Sequence, residues 1–163
     1  MHMRILAPLG ALLLLAACSS TPEAPPGGPG GGPGGGLGLG RSGFAPGSEQ
    51  DLVATAGDRV FFAYDQADIS PEGQQILERQ AQWLKRYPRV TVTIEGHTDE
   101  RGTREYNLAL GERRAEAVKN VLVALGIPAS RMTTISYGKE RPAVPHSDET
   151  SYAQNRRGVT VVN

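Results

Sequence analysis

A two-layer α/β sandwich, with helices packed on one face of a mixed sheet, is the fold this sequence predicts. Apolar and polar residues alternate in several short runs, while in two longer runs the apolar residues recur at helical spacing. The runs follow one another in the order β-α-β-α-β-(α)-β, and alternating elements of this kind build a sheet with helices laid on it. Capping residues, glycines and prolines separate them, so each segment carries its own start and stop.

The predicted domain covers residues 49–163. Residues 59–64, RVFFAY, form a short β-rich run. Residues 70–87, SPEGQQILERQAQWLKRY, open with a cap at Ser70, proline at the first helical position and Glu72 at the positive helix end. Ile76, Leu77, Gln80, Ala81 and Leu84 mark the inward face, and Pro88 stops the helix. Trp83 and Tyr87 read as packing residues in preference to an exposed partner face. In VTVTI, residues 90–94, Val90, Val92 and Ile94 share one side and Thr91 and Thr93 the other, as in a half-buried strand. A second helix is expected over residues 107–125, closed by Gly126 and Pro128. MTTISY (residues 132–137) and GVTVV (residues 158–162) supply the remaining strands, with a short helix in DETSYAQNRR between them.

Between the second strand and the long helix lies EGHTDERGTREYN, residues 95–107, a stretch of both charges that reads as a loop. On the helix, Asn107, Leu110, Arg114, Val118, Val121 and Leu125 fall on one stripe. Most of that stripe is apolar, so it is the buried face, while Arg113 points to solvent. An arginine inside it is costly unless it is paired and hydrogen-bonded. Two partners are open: an internal carboxylate from Asp65, Asp99 or Glu95, or the carboxylate of a ligand. The loop leaves the C-terminal end of a strand and contains Asp99, an acceptor suited to an ammonium group. Asp99 taking an amine and Arg114 gripping a carboxylate through two parallel bonds could together hold a zwitterion.

Other chemistries find less support. Seventeen Lys and Arg against seventeen Asp and Glu give zero formal charge, so the basic footprint of a nucleic-acid partner is missing. His97 and Asp99 stand two apart with His146 far along the chain, short of the three or four convergent ligands zinc needs. No metal or other cofactor is expected. No G-x-S-x-G occurs, the glycine-rich tract lacks the lysine of a P-loop, and no carboxylate pair stands out as a glycosidase site. The chain reads as a binding protein, not an enzyme.

EGHTDERGTREYNLALGERRAEAV closely resembles the signature of the OmpA-like peptidoglycan-binding domain family. Asn107, Leu110, Gly111, Arg114 and Ala115 fit its N-x-x-L-[SG]-x-x-R-A pattern, and VFFAYDQADI, SYGKERPA and NRRGVTVV are also similar to it. The resemblance implies non-covalent binding of the peptidoglycan stem peptide through meso-diaminopimelate, whose distal end carries one ammonium and one carboxylate. It implies that Asp99 and Arg114 hold that end and that Arg101, Tyr64 and Asp65 line the same pocket. Asn107 and Leu110 would shape its wall, and Thr98 would add a contact. Two positions depart from the pattern: Arg104 stands where proline is frequent, and Ala63 where an acidic residue or glycine is common. Resemblance to the lipid-anchored members implies partners in the Tol system, chiefly TolB, and a part in outer-membrane constriction at cell division.

Residues 1–17 hold Arg4 and then an apolar run broken only by Pro8 and Gly10, the pattern of a secretory signal peptide. The run ends in LAAC, which resembles a bacterial lipobox. Cys18, the only cysteine, is therefore the expected site of lipidation. Several acyl chains on one residue give a stable membrane anchor. Ser19 and Ser20 after it, in place of aspartate, resemble a signal for the outer membrane. Residues 18–48 form the expected tether, rich in glycine and proline and too poor in apolar mass to order itself.

Overall fold

The computed structural model describes residues 43–163; the expected signal peptide, Cys18 and tether residues 19–42 lie outside the described residues. A short helix that the sequence reading did not foresee, α1 (Glu49–Thr55), comes first. Ser48 caps it by accepting from the Asp51 N–H, and Leu52 is fully buried beneath it. Hydrogen bonds fasten it to distant parts of the chain: Trp83 Nε1 donates to Asp51 Oδ2 at 3.0 Å, and the Val162 N–H donates to Glu49 Oε2 at 2.6 Å.

Helix α2 (Pro71–Arg86) forms where expected, with Ser70 accepting from the Gly73 N–H and Pro71 in the first turn. It buries Leu77, Gln80, Ala81 and Leu84, and also Trp83, whose ring meets Tyr87 edge-on at 4.8 Å. Trp83 is thus a packing residue. The long helix, α3 (Arg104–Ala124), begins three residues before the prediction because Thr103 caps it, accepting from the Tyr106 N–H. Asn107, Leu110, Arg114 and Val118 are buried as read; Gly111, Ala115 and Leu122 join them, while Val121 and Leu125 are only partly covered. The last helix, α4 (Glu149–Asn155), is capped by Asp148.

The strands are β1 (Arg59–Phe61), β2 (Val92–His97), β3 (Met132–Gly138) and β4 (Arg157–Val162), arranged β1-β4-β2-β3. The sheet is mixed, with β2 and β3 parallel and β4 antiparallel to both β1 and β2. Val92 and Ile94 are fully buried toward the helices, whereas Thr93 and Glu95 on the other face are half-buried. Three boundaries need correction. β2 starts at Val92, so Val90 and Thr91 of the expected strand lie before it. β1 stops at Phe61 instead of residue 64, because the chain leaves the ladder to enter a turn at Asp65, whose φ is 59°. β2 runs on to His97, into the stretch read as loop, because Glu95 and Gly96 pair with Val159 and Gly158 on one side and with Ile135 and Ser136 on the other.

This register decides where a site can form. Since β4 is antiparallel to β1 and β2 while β3 runs parallel to β2, the C-terminal ends of β1, β2 and β3 lie at the same end of the sheet. The segment after β1 and the charged segment after β2 therefore emerge side by side, next to the first turns of α3. Among the described residues no helix is long and apolar enough to cross a membrane.

Candidate functional site

At that end of the sheet, Tyr64, Asp65, Thr98, Asp99, Arg101, Asn107, Leu110 and Arg114 line one cavity of about 200 Å3, joined by Gly102 and Tyr106. Three segments supply it: the turn after β1, far away in sequence, the charged loop after β2, and the start of α3 that follows that loop. Asn107 joins two of them: its side-chain amide donates to the Arg101 carbonyl at 2.9 Å and the Thr103 carbonyl at 3.0 Å, tying the charged loop to α3. Across the opening, the exposed Tyr106 hydroxyl donates to Asp65 Oδ1.

Arg114 is completely buried and has no carboxylate within ion-pair distance among the described residues. Of the two partners left open, the internal salt bridge is not made. Backbone carbonyls take its place: Nε donates to Gln66 at 2.8 Å, Nη1 to His97 at 2.8 Å and Nη2 to Ala63 at 3.1 Å. The guanidinium also lies 5.1 Å from the Phe62 ring centre. Burial first, then the Arg156 charge, pull its pKa down to about 10, so it remains a cation at neutral pH. Three of its five N–H groups are used, which leaves two for an acceptor in the cavity. Because Ala63 contributes its carbonyl, the departure at this position leaves that bond intact.

Asp99 is 4% exposed and held by two arginines. Arg101 approaches it through the backbone N–H, Nε and Nη2, the last at 2.6 Å, and Arg156 Nη1 adds a contact at 3.3 Å. Burial alone would raise its pKa, but the Arg101 and Arg156 hydrogen bonds outweigh it and keep the carboxyl below its ordinary value. Beside it, the Thr98 hydroxyl is buried and has no hydrogen-bond partner among the described residues. Arg104, the other departure, reaches Glu140 at 3.2 Å on the surface, away from the cavity wall.

Several residues of this constellation were not singled out from the sequence. Arg156 bridges Asp99 and Glu149 Oε1, the latter at 2.9 Å, and donates from Nε to the Phe62 carbonyl at 3.0 Å. The Tyr152 ring centre lies 4.5 Å from the Arg101 guanidinium, alongside that of Tyr64, which the sequence did single out, at 4.1 Å. Tyr152 also donates to Glu100 Oε1 at 2.7 Å. The only advance signal for Arg156 was its place in the NRR block. Among the described residues no group of three or more His, Cys, Asp or Glu side chains could hold a metal ion.

A model of the OmpA family matches residues 61–156. The chain belongs to the OmpA family. Among its relatives, the peptidoglycan-associated lipoprotein of Agrobacterium fabrum (strain C58) is 53% identical over 151 residues, which span 92% of this chain and 82% of that protein. The peptidoglycan-associated lipoprotein of Brucella melitensis (strain 16M) is 51% identical over 93% of this chain and 86% of its own length. The crystal structure of the peptidoglycan-associated lipoprotein from Burkholderia pseudomallei aligns with a TM-score of 0.64 at 45% identity, over 65% of this chain and 90% of that one. The C-terminal domain of Helicobacter pylori MotB, at 24% identity and a TM-score of 0.61, shares the OmpA-family fold alone.

Proposed function

We propose that the domain binds peptidoglycan without covalent chemistry, holding the distal end of meso-diaminopimelate in the cavity beside α3. One observation carries this reading: an anionic carboxylate, Asp99, and a buried guanidinium with no carboxylate partner among the described residues, Arg114, share the wall of one small cavity. A group bearing one ammonium and one carboxylate matches that pair of charges. The Thr98 hydroxyl and the two unused N–H groups of Arg114 are donors that a ligand carboxylate could satisfy. The names of its relatives, peptidoglycan-associated lipoproteins, support peptidoglycan as what the domain binds.

In this role the chain is a non-enzymatic outer-membrane lipoprotein, anchored through Cys18, spaced by the glycine- and proline-rich segment and gripping the wall with its domain. The family resemblance adds the Tol system to the reading. TolB would be the main protein partner, and the work would be envelope integrity and outer-membrane constriction during division.

The test is co-sedimentation with diaminopimelate-type peptidoglycan, comparing the protein with its Asp99→Ala and Arg114→Lys variants. A lost contact to an ionised group is worth about 1.5–3 kcal/mol, so each variant, shown to be folded, should bind roughly tenfold more weakly or worse. Undiminished binding by both variants would exclude the cavity as the site. Absence of sedimentation by the unmodified protein would point instead to a ligand that is itself a protein.

A further inference from the structure

The Asp99 carboxylate is already full. Its Oδ1 accepts from the Arg101 backbone N–H at 3.1 Å and from Nε at 3.2 Å, while Oδ2 accepts from Arg101 Nη2 at 2.6 Å and Arg156 Nη1 at 3.3 Å. A carboxylate offers about four lone-pair sites. An incoming ammonium therefore finds no acceptor on Asp99 until a donor leaves.

The surroundings single out which donor that is. Arg156 is 7% exposed and is held by Glu149 and the Phe62 carbonyl besides Asp99. The Arg101 backbone N–H belongs to the turn that follows β2. The Arg101 guanidinium is different: its side chain is 34% exposed, and Nη1 already lies 3.3 Å from Glu149 Oε2. It rests between the Tyr64 and Tyr152 rings, so a shift toward Glu149 keeps it beside a carboxylate and aromatic faces.

We propose that the Arg101 guanidinium is an internal stand-in for the ligand's ammonium and thereby sets the specificity of the cavity: a ligand is held at Asp99 only if it brings a cation able to replace this one. The inference rests on the reading that an ammonium group comes to Asp99. Exchanging one cation for another leaves the charge balance around Asp99 and Arg156 unchanged. A ligand whose amine is acylated carries no such cation, so the guanidinium stays where it is.

The experiment is calorimetric titration of the full-length protein in detergent with a diaminopimelate-containing tripeptide, and with the same peptide acetylated on its distal amine. The unmodified protein should bind the first and reject the second. Arg101→Ala keeps the backbone N–H of the turn and removes the competing cation. If that cation occupies the site for roughly 70–90% of the time, the variant should bind the free-amine peptide about threefold to tenfold more tightly. Arg101→Lys, which retains a cation, should fall between the two. Weaker or unchanged binding by folded Arg101→Ala would overturn the proposal, because Arg101 would then be a direct ligand contact or a bystander.

A second readout needs no variant. The Arg101 Nε–H resonance should move when the free-amine peptide saturates the unmodified protein; an unmoved resonance at saturation also overturns the proposal. If the unmodified protein does not bind the free-amine peptide at all, the proposed function itself falls, and this inference with it.

Discussion

Gly96 of β2 and Gly111 of α3 touch through their backbones: a Cβ on Gly96 would stand 1.8 Å from the Gly111 carbonyl oxygen. From the other side, a Cβ on Gly111 would meet Ser136 Oγ at 2.2 Å and the Gly96 oxygen at 2.9 Å. One residue beyond Gly96 is His97, and about one turn beyond Gly111 is Arg114; the two close at 2.8 Å through the His97 carbonyl. The bare contact is therefore what brings the buried guanidinium to the end of β2. A glycine inside a helix costs about 1 kcal/mol relative to alanine, and this close approach is the reason it is there.

Gly96→Ala should destabilise the domain by about 3 kcal/mol, since the obstacle is backbone that cannot rotate away. Urea unfolding measures the loss. Gly111→Ala should cost less, because Ser136 Oγ is a side-chain atom that can turn aside at the expense of its 2.7 Å bond to the Leu108 carbonyl, and the Gly96 oxygen, at 2.9 Å, asks for a far smaller backbone shift than the 1.8 Å approach does.

Arg114→Leu should lose stability as well as ligand. Leucine leaves the buried His97 carbonyl without its donor and removes the bonds to the carbonyls of Gln66 and Ala63, residues that are themselves exposed. The expected cost is about 3 kcal/mol by urea unfolding, one buried acceptor left unmet and two further hydrogen bonds lost. Arg114→Lys should retain the charge and part of the stability while losing the fixed fork.

The buried His97 imidazole makes stability depend on pH. Desolvation first, then the Arg157 charge, lower its pKa from 6.5 to about 4. Between those values the unfolded chain takes up a proton that the folded chain refuses. Stability should therefore be greatest above pH 6.5 and fall as the pH drops toward 4, by up to about 3 kcal/mol. In a series of urea melts, His97→Gln should flatten that slope whatever its own stability. The Asp99 carboxyl, held below its ordinary value, loses its stabilising effect only at lower pH.

Asp51→Ala should loosen α1. The carboxylate accepts from Trp83 Nε1 and from the Gly47 N–H, and its removal leaves a buried indole donor without that acceptor. A cost of about 2 kcal/mol is expected. Faster amide exchange in residues 49–55 and a changed Trp83 fluorescence should accompany it.

The long elements were legible because each repeats its own period often enough to be read: α2 and α3 bury much of the face that their spacing marks. Helix α1 was not, since seven residues show barely two turns and its hold comes from Trp83 and Val162, more than thirty and a hundred positions away. The burial of Arg114 was plain from its stripe, but not its partners, because three carbonyls leave no mark in a side-chain pattern. The same holds for the cage around Asp99. Arg156 and Asp99 are 57 positions apart, and only the register of β4 beside β2 brings them together.

The bond between Glu49 and Val162 has a mechanical consequence. Val162 pairs with Val92 at the start of β2, while the cavity begins past His97 at its far end. The chain thus joins the sheet about 20 Å along the strand from where the ligand would be gripped. In the proposed role, tension between membrane and wall runs lengthwise through β2 and β4. Their ladder is then loaded in shear, with every rung from Val92 to Gly96 sharing the force, and is not peeled open one bond at a time. A ladder loaded this way holds until its rungs give way together.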